Sequence, residues 1–480
     1  MQRPVTALLL LALLALSCAA EEKPPGPFRD PPRFTPTIKL VEDCLPSVVA
    51  LRSFLPQKPG VFTVFSGSGS VIHEAGYILT NDHVVKHGMA GDASLPNLRP
   101  LPFRIVARFP HEDMALVKID APQPLKPLPL GRSNDLMLGE PALVIGNPGG
   151  VAHTISTGVI SGLNRASATQ DAFLPYLVQT SAATSGGSSG GPLINALGEQ
   201  IGIITSKKEG AENINFAIVI DRIRDMFPRM LSVEQRCNFR LGMDVDMLGP
   251  AAKVTAVAEG SPAALSGVRV GDVVQRIDPL AVHHGVDFHI ALLDRKPGQT
   301  LTLELKRGDE VVAAKPVLAP LLTPDPVADD GMVKGLRHAV YTGAWEKLPD
   351  FAALTPVETG KTDKVSLDVY KARPEDFALR FTGFIKIPAG GLYTLYTASD
   401  DGSQLAIRDQ VVVDNDGLHA NRESAGLIRL KPGLHPITVT FFQHLGDKTL
   451  SVSIEGPNLK KQEVPPDFFF IREDEKEPGK

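Results

Sequence analysis

At 480 residues with a formal net charge of −5, the chain is too long for one core and reads as about three domains at roughly 150 residues each. It contains no basic run long enough to hold a polyanion, which argues against nucleic acid as a partner. Three cysteines are too few for a disulfide scaffold.

The chain opens with Arg3 and an apolar stretch, Ala7 to Leu16, of ten residues. That is too short to span a bilayer and reads as a secretion signal over residues 1–20. Two processing routes fit: cleavage near Ala19 or Ala20, or a lipobox Ala15-Leu16-Ser17-Cys18 that leaves Cys18 as a lipidated N-terminus. Either route exports the protein across the inner membrane to the periplasm or cell envelope. Without Cys18, two cysteines remain, Cys44 and Cys237, either bridged or as separate thiols. Residues 21–36 carry six prolines and read as an exposed tether.

From residue 37 to 232 short apolar runs are broken by Gly, Pro and Asn, as in Val48-Val49-Ala50-Leu51 and Ala142-Leu143-Val144-Ile145. This pattern predicts antiparallel β-barrels, closed by a helix over Asp221 to Met230. Three segments carry the chemistry: Thr80-Asn81-Asp82-His83, then His111-Glu112-Asp113, then Gly187-Ser188-Ser189-Gly190-Gly191. They supply a base, an orienting acid and a nucleophile on a tight turn, the parts list of acyl transfer. Asp82 and Glu112 compete with Asp113 for the acid's place. Asp82 adjoins His83 in sequence and should point elsewhere, whereas Asp113 heads a strand pattern.

With Ser66-Gly67-Ser68-Gly69-Ser70, Gly146-Asn147-Pro148, Thr154 to Ser161 and Asn215-Phe216-Ala217-Ile218, these segments make the region resemble the HtrA/Deg family of trypsin-fold serine proteases. The resemblance implies a double β-barrel, with Ser189 as nucleophile, His83 as general base and Asp113 as its orienting acid. It also implies an oxyanion hole built from the N–H groups of Gly187 and Ser189, no cofactor for catalysis, and a homo-oligomer, commonly a trimer. Two departures stand out: Ser188 where the family usually has Asn, and Gly186-Gly187 without the usual preceding proline. Both predict a loosely held oxyanion loop.

Residues 236–320 resemble a PDZ domain, a small α+β fold. Arg240, Leu241, Gly242 and Met243 match the turn that captures a peptide's C-terminal carboxylate on free backbone N–H groups. The peptide would add as a strand beside the helix carrying Phe288 and Ala291. Residues 321–334 read as a linker. Residues 335–470 resemble the protective-antigen insert domain, an all-β sandwich found in flocculins, in which paired aspartates hold calcium for a glycan. Asp400 and Asp401 are the matching pair, with further ligands expected near His444-Leu445-Gly446-Asp447. Their other reading is a pair that shapes a turn.

The expectation is therefore a mostly β chain that cleaves unfolded or misassembled envelope proteins, recognises C-terminal peptides and carries a glycan- or surface-binding domain. Two alternatives stay open at this level: a chaperone-like pseudoprotease, and an adhesion protein with an accessory protease.

Overall fold

The computed structural model describes residues 33–473 except 89, 97, 148–152, 169–172, 208–209 and 211. The signal, Cys18, most of the tether and Pro148 lie outside the described residues.

Two closed six-stranded antiparallel barrels follow a short helix α1 (Pro36–Cys44). The first holds β1 (Val48–Lys58), β2 (Val61–His73), β3 (Tyr77–Thr80), β4 (Ala90–Ser94), β5 (Leu101–Phe109) and β6 (Met114–Ile119). The second holds β7 (Pro141–Gly146), β8 (Thr154–Ala168), β9 (Phe173–Thr180), β10 (Pro192–Ile194), β11 (Gln200–Lys207) and β12 (Asn215–Val219). The run Val48 to Leu51 is apolar throughout because both faces of β1 are buried. Val49 and Leu51 enter the core of the first barrel, and Val48 packs on Leu143 and Ile145 of the second.

Helix α3 (Ile220–Leu231) follows the second barrel; the one-turn helix α2 (Asp82–Val85) lies in the first. Ile223, Phe227, Met230 and Leu231 of α3 are buried in a core that also takes in Phe239, Phe288 and Leu303. The two barrels and the unit that follows them thus share one continuous apolar core, each such side chain contributing about 1.5–3 kcal/mol. Leu301, Leu303 and Leu305 alternate along the chain and are all fully buried, and the hairpin turns at Gly308.

A five-residue helix α4 (Val233–Cys237) leads into the PDZ unit, which contains α5 (Pro262–Leu265) and α6 (Gly285–Ala291). The third unit stacks an eight-stranded sheet on a four-stranded one. Its core joins Phe377, Phe381 and Phe441 of the first to Tyr393, Leu395 and Ile454 of the second. Cys44 and Cys237 are unbridged; burial is the main cause that raises each thiol's pKa, which keeps them protonated.

The third unit docks on both others. Arg429 donates to the carbonyls of Gln235 and Arg236 in α4. Tyr396 packs edge-on against His111, two residues before Asp113. Burial first, then the charges of Lys461, Arg229 and Arg422, push the His111 pKa down to about 3, so the ring in this interface is neutral.

Candidate active site

The site forms where the barrels meet. β3 ends at Thr80, whose hydroxyl donates to the Ser68 carbonyl at 2.7 Å. Asn81 then starts α2, and one helical turn presents His83. From the other side, a 3-10 turn at Pro110–Glu112 delivers Asp113 in the left-handed region, φ 49°. Asn81 locks that turn by donating its side-chain amide to the Asp113 carbonyl at 2.9 Å.

Both Asp113 carboxylate oxygens lie 2.9 Å from His83 Nδ1. Its Oδ1 also accepts from the His83 backbone N–H at 3.1 Å. Burial lowers the imidazole's pKa, but the hydrogen bond to Asp113 and its charge together outweigh that, so the ring titrates above its ordinary value. The competing carboxylates are spent elsewhere. Asp82 forms a two-pronged ion pair with Arg108 of β5 at 2.6 and 2.9 Å. Glu112 does the same with Arg222 of α3, both contacts at 2.6 Å. The choice of Asp113 over its neighbours matches this geometry.

Ser189 lies on the turn before β10. The glycines after it answer a packing need more than access to the substrate. A Cβ on Gly190 would sit 2.1 Å from the Ser68 carbonyl oxygen, and one on Gly191 would sit 2.8 Å from that of Ile145. Gly190 also has φ 84°.

The oxyanion loop is tied more firmly than its composition suggests. The Ser68 hydroxyl donates to the Gly187 carbonyl at 2.8 Å and accepts from the Asn147 N–H at 2.8 Å. Ser188 closes the turn through its N–H to the Ser185 carbonyl at 2.9 Å. The serine-rich segment at 66–70 and Asn147 thus supply the hold expected to be lost with the usual Asn and Pro. Among the described residues, neither the Gly187 nor the Ser189 N–H has a hydrogen-bond partner, so both donors of the expected hole are unspent. One such donor is worth about 3 kcal/mol at a transition state.

Sequence reasoning missed Thr205. Its hydroxyl donates to Asp113 Oδ2 at 2.6 Å, and its carbonyl accepts from the Ser189 hydroxyl at 3.2 Å. In the chain it is one more threonine in an apolar strand, and only the closure of β11 against the first barrel brings it to the acid. The Ser189 hydroxyl therefore points at Thr205, and among the described residues it makes no hydrogen bond to His83. Apo sites are commonly loose in this way. Beside Ser189 lies a cavity of about 240 Å³ lined by Thr184, Ser185, Gly186, Ile204, Thr205 and Ser206. None of these carries a charge.

The PDZ turn lies far from this chemistry in the chain. Gly242 adopts φ 75°, and Leu241 and Gly242 do not present free N–H groups. Both donate, at 2.8 Å, to the Glu234 carboxylate of α4. This corrects the sequence expectation, which had no reason to connect a residue upstream of the turn with it.

In the third unit Asp400 and Asp401 are both buried. Asp401 accepts from the His419 N–H at 3.3 Å and the His444 N–H at 2.9 Å. Burial, then the Asp401 charge, pushes the Asp400 pKa up. The loop at His444 does reach the pair, but among the described residues no three His, Cys, Asp or Glu side chains form a metal-binding group. The pair fits calcium in part: two hard carboxylates are present, and carbonyl or amide oxygens would have to complete a shell of about six to eight.

Comparison with known families assigns residues 67–203 to the trypsin-like peptidase domain, 240–315 to the PDZ domain and 334–467 to the PA14 domain. The chain is 31% identical over 304 residues to "Protease Do-like 1, chloroplastic" of Arabidopsis thaliana, covering 57% of this chain and 69% of that protein. It is 30% identical over 321 residues to "Serine protease PepD" of Mycobacterium tuberculosis, covering 61% of this chain and 66% of the relative. Against "Probable periplasmic serine endoprotease DegP-like" of Pseudomonas fulva the identity is 33% over 256 residues, half of this chain and 53% of the relative. A solved serine endoprotease from Yersinia pestis aligns at 27% identity and a TM-score of 0.36, covering 60% of this chain and 98% of that one.

Proposed function

Because the chain belongs to the HtrA/Deg family of trypsin-fold serine proteases, we propose that Ser189, His83 and Asp113 perform its peptide-bond hydrolysis and that its substrates are unfolded or misassembled proteins of the cell envelope. The protein is a serine endopeptidase. The observation that carries the assignment is the His83–Asp113 clamp, made through one ring nitrogen and one backbone N–H and closed by Thr205.

In that assignment Ser189 attacks the scissile carbonyl carbon while His83 Nε2 takes the hydroxyl proton. Asp113 holds Nδ1–H and stabilises the imidazolium; it stays ionised. The tetrahedral oxyanion is received by the Gly187 and Ser189 N–H groups. Collapse expels the amine, which takes the proton from His83, and water repeats the sequence on the acyl-enzyme. The uncharged 240 Å³ cavity suits a neutral side chain before the cut. A fluorophosphonate probe tests the whole arrangement, since it needs an activated serine. Labelling at Ser189 is the expected result, and a protein that stays unlabelled while folded defeats the assignment.

Envelope location rests on the export signal read in the sequence and on relatives named as periplasmic. No helix among the described residues is long and apolar enough to cross a membrane. Assembly as a homo-oligomer, commonly a trimer in such proteases, is part of this reading and rests on the resemblance alone. The PA14 unit is assigned the task of holding the protease at a glycan or other surface ligand. With calcium between Asp400 and Asp401, the full chain should take up the ion at millimolar concentration in calorimetry. Asp400→Asn should abolish the uptake; a native chain that takes up none leaves the aspartates as a brace for the loops at His419 and His444.

A further inference from the structure

The carboxylate seat of the PDZ unit is filled from within the chain. Glu234 Oε1 accepts from Leu241 N–H and Gly242 N–H, both at 2.8 Å. These are two of the donors that a peptide's terminal carboxylate would use. The turn is built to offer them. Gly242 holds φ 75°, a Cβ there would meet the Ser261 side chain at 2.4 Å, and its carbonyl is fixed by Ala258 N–H and the Ser261 hydroxyl.

The rest of the groove is open. A cavity of about 710 Å³ passes Met243, Phe288 and Leu292 and reaches Gln410 and Leu427 of the third unit. The strand edge and the apolar helix face needed by an incoming segment are therefore available, while the place for its charge is taken.

We propose that Glu234 is a specificity-setting competitor in the peptide groove, occupying the seat of a C-terminal carboxylate until an apolar peptide end displaces it. The inference rests on the peptide-recognition reading of the PDZ unit and deepens it. Displacement exchanges one carboxylate for another, so the hydrogen bonds on the turn are conserved. The surplus that favours the peptide must come from its apolar side chains in the groove. A peptide ending in an amide brings no charge to the vacated donors and gains little by entering. Glu234 has somewhere to go: its side chain is a third exposed, and Arg240 Nη1 lies 3.9 Å from its other oxygen. Rotation of the side chain suffices, because α4 itself is held by Arg429 through the Gln235 and Arg236 carbonyls. An internal competitor lowers the apparent affinity by the fraction of molecules whose seat is empty.

The test uses the full chain carrying Ser189→Ala, so that the probe is not cut. A fluorescein-labelled octapeptide ending Ala-Val-Leu with a free carboxylate, and the same peptide as its C-terminal amide, are titrated by fluorescence polarisation. Glu234→Ala is expected to bind the acid peptide about tenfold more tightly than its parent and the amide with unchanged affinity. Glu234→Gln, which keeps the acceptor oxygen and the packing but loses the charge, should show a smaller gain for the acid peptide. Equal acid-peptide affinity in parent and both variants overturns the proposal. So does an equal gain for the amide, or the absence of saturable acid-peptide binding to folded Glu234→Ala. Fluorophosphonate labelling of the Ser189-containing chain reports the protease assignment separately.

Discussion

Ser189→Ala is expected to lower casein hydrolysis about a millionfold, leaving the residual rate of an enzyme that binds but has no nucleophile. The size follows from loss of the covalent route. Without Oγ no acyl-enzyme forms, and His83 has no proton to take at the reacting centre. The fold should survive, because the Ser189 hydroxyl makes a single hydrogen bond, 3.2 Å to the Thr205 carbonyl, worth about 1 kcal/mol or less. Thermal unfolding should therefore be close to native while turnover of unfolded casein disappears. Casein turnover at the native rate by the purified variant would show that another group is the nucleophile.

Asp113→Asn is expected to cost about 10⁴ in kcat with little change in KM. The amide can offer an N–H toward Nδ1 and so favours the tautomer in which Nε2 carries the proton, the wrong one for accepting from Ser189. Asp82→Asn and Glu112→Gln provide the contrast. Their carboxylates pair with Arg108 and Arg222, so these changes should weaken stability far more than they alter the chemistry. A drop in kcat as deep in Asp82→Asn as in Asp113→Asn would overturn the assignment of the acid.

The pH profile gives an independent reading of the same pair. His83 acts as a base when neutral, so the rate rises with pH through its pKa. That pKa lies above the ordinary 6.5, because the Asp113 hydrogen bond and charge outweigh the opposing effect of burial. The acid limb of kcat/KM should accordingly lie above pH 6.5 in the native enzyme. In Asp113→Asn burial is opposed only by the lesser effect of the Asp82 charge, and the limb of the residual activity should fall. The linkage to stability has the opposite sense. The raised pKa contributes stability that is fully present below the unfolded value, about 6.5, and is lost as pH climbs through the folded one.

Read alone, the sequence determined the family and the mostly β class, and it named the three side chains proposed for catalysis. Each of these is written in short local patterns. Val48 to Leu51 reads as one of several short apolar strands broken by turn residues, and a serine followed by Gly190 and Gly191 reads as a tight turn. Asp113 heads a strand, whereas Asp82 adjoins the histidine it would have to serve. Tertiary structure decided what depends on which segments meet. Thr205 joins the acid because β11 closes against the first barrel, a contact spanning 92 residues of chain. The oxyanion loop is held by Ser68, 119 residues away, so a composition that looked too flexible is anchored from outside. Glu234 reaches the carboxylate turn, seven residues on, because α4 holds it beside Leu241 and Gly242. Local propensity and motif report what a segment can do with its own backbone. Hydrogen-bond partners for buried or loop groups come from wherever the packed core brings them, and no spacing in the chain records that choice.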